Sequence, residues 1–161
     1  MPANTVLTVK RLHDDNGPLE DAMPEFVAKR PGRYRGKRLK DLCGEMHAFF
    51  RAAGVSALQQ AQFAARHLPE AAMTPREASR HLVRNNVDYL PLAELDGRIA
   101  TTLWVVYPPG IATIVPGERL NERAQPMIDY LKMFEKSANV FPGLEAEIQG
   151  LYREVDETGA I

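Results

Sequence analysis

The sequence predicts an α+β fold: a helical N-terminal half, a small and mostly antiparallel β region, a long helix and a final strand. Three observations predict it. Apolar residues recur at helical spacing from Leu19 to Val83. At Val87 the apolar period shortens to two, and helical spacing returns across residues 121–141. Helices followed by strands, without regular alternation, indicate α+β rather than α/β.

Residues 3–9, ANTVLTV, read as a short strand. DDNGP then supplies a turn, with Asn16 as a cap and Pro18 in the first helical turn. Leu19, Met23, Phe26 and Val27 lie at helical spacing, and Pro24 inside that window predicts a kink or a late start. RPGRYRG reads as a basic connector. The next helix carries one apolar stripe, Leu39, Leu42, Cys43, Met46, Phe49 and Phe50, and stops at Gly54. VSALQQAQFAARHL is a third helix, capped by Ser56, with Val55, Leu58, Ala61, Phe63, Ala65 and Leu68 toward the core. Thr74, Pro75 and Glu77 form the signature of a capped fourth helix with a capping box. VDYLPLAEL, GRIATTLWVVY and IATIV read as strands. Met127, Ile128, Leu131 and Phe134 mark one face of the long helix, and PGLEAEIQGLYREVD is a turn and a last strand.

With 161 residues the chain is large enough to bury a core. A net charge of −1 argues against a general affinity for nucleic acid or an anionic membrane surface. No apolar run reaches the length of a membrane span, and the N-terminus lacks the features of a signal peptide. The single cysteine, Cys43, fits a reducing compartment, so a cytoplasmic location is expected.

The sequence contains no GxGxxG, Walker loop, GxSxG or HExxH. His13, His47, His67 and His81 have no neighbours at a metal-ligand spacing, and no metal site is expected. Cys43 lies on an apolar helix face and reads as a core residue. The basic run around Tyr34, from Arg30 to Lys40, reads as a solvated connector that forms salt bridges elsewhere. The carboxylates Glu145, Glu147, Glu154, Asp156 and Glu157 read as a solvated face.

WVVYPPGIATIVPGE, residues 104–118, is different. Prolines remove ladder donors, and the residue before a proline is pushed toward an extended form. One reading is two strand-ending turns. The other is a rigid lip that aims the Tyr107 phenol and the Glu118 carboxylate at a polar or cationic ligand.

Four segments carry a resemblance: RYRGKRLKDLCGEMHAFF, AAMTPREASRHLVRNNVDYLPLAELDGRIA, VVYPPGIATIVPGERL and DYLKMFEKSANVFPGLEAEIQGLYRE. In collinear order they resemble the C-terminal domain of the bacterial ornithine/lysine/arginine decarboxylases, fold-type I enzymes that use pyridoxal phosphate. The resemblance implies that residues 1–32 lead into a domain spanning 33–161, truncated at its last strands.

It also implies a role in α-decarboxylation of a basic amino acid, with arginine or ornithine preferred over lysine. In the family, the tyrosine of YPPG lies at the mouth of the substrate channel and helps hold the distal cation, which points to Tyr107. The glutamate of PGE points to Glu118, at the channel lip or in a structural salt bridge. Where the family prefers proline after PPGI, this chain has Ala112.

The family holds its cofactor through a lysine that follows a histidine. None of Lys10, Lys29, Lys37, Lys40, Lys132 and Lys136 does so. Pyridoxal phosphate is therefore expected on domains that precede this one, with this chain alone inactive and without a cofactor. The implied partners are the cofactor domain or a homodimer mate, and no nucleic acid or membrane. The alternative is a free-standing, non-catalytic interaction module derived from the same domain.

Overall fold

The computed structural model describes residues 17–107, 110–152 and 154. The expected strand at 3–9 and the Asn16 cap lie outside the described residues. The chain divides into two compact units, Met1–Ala53 and Gly54–Ile161. The boundary read from the sequence, between residues 32 and 33, falls inside the first of them.

The described residues of the first unit form helices: α1 (Leu19–Ala22), α2 (Pro24–Lys29), α3 (Pro31–Tyr34) and α4 (Leu39–Ala52). The helix breaks at Met23, and Pro24 opens a new one, because proline cannot continue the ladder but suits a first helical position. Pro31 does the same. The expected connector therefore contains a helical turn, and that turn buries Tyr34 completely. The Phe26 ring lies 4.7 Å from the Tyr34 ring. The Leu19 amide donates to the Lys37 carbonyl at 2.8 Å, which closes the segment on itself. On α4 only Leu42 of the apolar stripe is fully buried, and the other five residues are half-buried.

Among its described residues the second unit contains α5 (Val55–Gln62), α6 (Pro75–Val83) and α7 (Gln125–Val140), together with six short strands. α5 packs along α7, and the Gln59 amide donates to the Tyr130 hydroxyl at 3.1 Å. The expected third helix is thus shorter than its apolar spacing suggested. It ends at Gln62, whose buried side chain replaces the next apolar position. Phe63 and Leu68, expected in the core, are about half exposed. Ser56 lies inside α5 and does not cap it.

The strands form two antiparallel sheets. One has the order β1–β5–β2, from Glu70–Ala71, Glu118–Leu120 and Arg98–Ile99. The other has the order β4–β3–β6, from Ile111–Ile114, Trp104–Tyr107 and Glu147–Gln149. GRIATTLWVVY is therefore two strands in two sheets. VDYLPLAEL forms no strand: Pro91 withdraws a donor, and Leu92–Glu94 coil into a 3₁₀ turn. The last strand ends at Gln149, before LYRE. Met127, Ile128 and Leu131 bury the inner face of α7, joined by Tyr130, Met133 and Ala138, while Phe134 is half-buried.

Candidate functional site

The β3–β4 hairpin is built around buried Trp104. Its indole N–H donates to the Thr102 hydroxyl at 3.1 Å, and that hydroxyl donates to the Gly150 carbonyl at 2.9 Å. The Thr113 hydroxyl donates to the Trp104 carbonyl at 3.2 Å. Trp104, Val105 and Val106 are all buried, and Tyr107 ends the strand 51% exposed. A strand pinned by three apolar side chains and these hydrogen bonds holds its last residue in place while leaving that side chain accessible.

Gly110 shapes the space beside Tyr107. Its amide donates to the Val106 carbonyl at 3.2 Å, with φ at +85°. A Cβ there would lie 3.2 Å from the Tyr107 ring, so the ring rests against bare backbone. On the other flank, β6 runs antiparallel to β3 and sets Glu147 opposite Tyr107. Pro108 and Pro109 lie outside the described residues.

The second half of the motif serves a different sheet. Gly117 has φ at +95° and accepts from the Ala72 amide at 2.9 Å. Its own amide donates to Ala100 at 2.8 Å. The Glu118 carboxylate accepts from the Val115 amide at 2.7 Å, and the Glu118 amide returns a bond to the Val115 carbonyl at 3.1 Å. Glu118 thus closes the VPGE turn with its side chain. Tyr107 and Glu118, read together from the sequence as one lip, belong to different sheets.

Several other charged groups are engaged locally. Arg33 and Lys37 of the basic run both reach Glu45, Arg33 at 2.7 Å. Their donated hydrogen bonds, that of Lys37 foremost, hold the Glu45 carboxyl below the usual glutamate range. The Thr74–Glu77 capping box is present as the sequence predicts, with the Thr74 amide donating to Glu77 at 2.8 Å. The Thr74 hydroxyl, and next its amide, lower the Glu77 carboxyl. The Gly36 amide is the main cause that lowers Glu20. Among the described residues no three His, Cys, Asp or Glu side chains cluster as metal ligands, and no helix is long and apolar enough to cross a membrane.

The sequence placed Glu147 on a solvated face, and it is exposed; its register opposite Tyr107 was not read from the sequence. The signal was the alternation Glu147–Ile148–Gln149, a strand with one half-buried apolar residue between two exposed polar ones.

Comparison with known proteins gives these features a context. Residues 56–161 match the family model described as Orn/Lys/Arg decarboxylase, C-terminal domain. The chain is 38% identical over 154 residues to the lysine decarboxylase LdcA of Pseudomonas aeruginosa, a match that covers 96% of this chain and 20% of that protein. It is 35% identical over 146 residues to the constitutive ornithine decarboxylase of Escherichia coli K12, covering 91% of this chain and 20% of the relative. A solved structure of lysine decarboxylase A from P. aeruginosa superposes with a TM-score of 0.82 at 39% identity, over 96% of this chain and 20% of that one. The chain thus spans about a fifth of the length of the relatives it matches. On the family match and this shared fold, the chain belongs to the Orn/Lys/Arg decarboxylase family and corresponds to its C-terminal domain.

Proposed function

We propose that residues 33–161 act as the C-terminal domain of a pyridoxal-phosphate-dependent decarboxylase of basic amino acids, with the end of β3 lining the substrate channel. The observation that supports this most is the exposure of Tyr107 at the end of an otherwise buried strand, in a chain of this family. A phenol held in this way positions the distal ammonium or guanidinium of the substrate and does not take part in bond breaking. Glu118 supports that lip indirectly, by closing the turn that follows β4.

Pyridoxal phosphate, when bound, supplies the electron sink for carbon dioxide loss. The described residues do not fit that group. Lys29, Lys40 and Lys136 are exposed, and Lys37 is engaged by Glu45. Lys132 is half-buried on α7, and the shallow depression on α6, lined by Glu77, Arg80, His81, Arg84 and Asn86, contains no lysine. The cofactor is assigned to the part of the enzyme outside this chain, and the expected location is the cytoplasm.

The test is a chimera in which this chain replaces the C-terminal domain of the P. aeruginosa lysine decarboxylase. Carbon dioxide release is measured with lysine, ornithine and arginine in parallel and compared with the parent lysine decarboxylase; the sequence reading ranks arginine and ornithine first. Tyr107→Phe is expected to raise KM about tenfold, the value of one hydrogen bond to a charged group, with kcat nearly unchanged. No release from the unsubstituted chimera, or an unchanged KM with sharply lower kcat in Tyr107→Phe, overturns the reading.

A further inference from the structure

Tyr107 and Glu147 are register partners across the antiparallel β3–β6 pair. Directly opposed residues project from the same face of a sheet, with Cβ atoms about 5 Å apart. Both side chains are exposed. The Glu147 carboxylate is also steadied, because the Gln149 amide, two residues along on the same face, donates to it at 3.2 Å. Gly110 keeps the opposite flank of the Tyr107 ring free of a side chain. Among the described residues, Glu147 has no ion-pair partner. Glu45, Asp88 and Glu118 differ: the first two hold cations, and the third closes a turn.

A carboxylate beside a phenol, with no cation of its own, is the arrangement that receives an ammonium or guanidinium group. The carboxylate accepts charge-assisted hydrogen bonds, and the ring offers its hydroxyl and its negative face. We propose that Glu147, set opposite Tyr107 and oriented by Gln149, is the carboxylate that receives the distal cation of the basic amino acid. This rests on the reading of the chain as a decarboxylase domain and assigns to Glu147 the role that the sequence offered to Glu118. Glu147 and Tyr107 act by positioning the substrate, and Gln149 acts by orienting Glu147.

The test uses the full chain alone, so that it stands apart from the chimera. Backbone amide shifts are followed by NMR during titration with L-lysine, L-ornithine and L-arginine, with norleucine as the uncharged control. Saturable shifts at Tyr107 and Glu147 are expected for the three cations and not for norleucine. Glu147→Gln is expected to raise the apparent Kd about tenfold, Glu147→Asp to restore part of the loss, and the remote Glu94→Gln to leave it unchanged. Equal binding by Glu147→Gln, equal shifts with norleucine, or no saturable shift with any ligand overturns the inference. A chimera that depends on Tyr107 while the chain binds cations independently of Glu147 would sink this assignment and leave the proposed function standing.

Discussion

A Cβ placed on Gly117 would lie 2.2 Å from the carbonyl oxygen of Met73. Both the left-handed backbone and this close approach demand glycine, so the PGE motif records a packing requirement. Gly117→Ala is expected to destabilise the chain by roughly 3 kcal/mol, through strain at a positive φ and displacement of the segment paired with β5. Urea unfolding followed by circular dichroism measures it. A loss below about 1 kcal/mol would mean that the turn relaxes freely.

Glu118 closes the turn that Gly117 bends. Removing the carboxylate leaves the Val115 amide without its acceptor at 2.7 Å. Glu118→Ala is expected to cost about 1 kcal/mol, since the site is partly solvated. Equal midpoints for the variant and the parent chain in the same urea titration would show the bond to be worth nothing.

Acid should weaken the chain through three carboxylates. Glu45, Glu77 and Glu20 all have folded-state pKa values below the ordinary 4.5. A depressed folded pKa stabilises fully above the unfolded value and loses that contribution as pH falls through the folded one. Stability is therefore expected to decline from about pH 5 downward, and the melting temperature with it. Glu45→Gln should melt lower than the parent at pH 7 and show a shallower decline in acid, because Arg33 and Lys37 lose their charged partner. Parallel pH profiles for the two chains would rule out the pairing as a source of stability.

Local chemistry was legible in the sequence, and long-range chemistry was not. The Thr74 capping box and the break before Pro24 are decided within four residues, and both appear where the sequence places them. The inner face of α7 was legible because its apolar period survives over four turns. β1 and β5 were illegible: they are two and three residues long and pair Glu70 with Arg119. Nothing in such short polar stretches announces a strand until its distant partner is known. α5 was overextended because Phe63 and Leu68 continued an apolar pattern that the chain abandons at Gln62.

The neighbourhood of Tyr107 was illegible for the same reason. The family resemblance singled out Tyr107. Its neighbour was sought nearby in sequence, at Glu118, whereas the sheet places Glu147 beside it. Only the β3–β6 register, set by two segments forty residues apart, brings that carboxylate across.

Trp104 is the one tryptophan in the chain, and its indole joins Thr102 and then Gly150 at the end of β6. Fluorescence excited at the red edge of absorption therefore reports on a single location, the seam between β3 and β6. If β6 peels away, the Thr102 hydroxyl that accepts from the indole loses its own acceptor at Gly150 and the ring meets water, so the emission moves to longer wavelength. The chain carries an optical gauge of the docking that holds Glu147 beside Tyr107, and it can be read without a label.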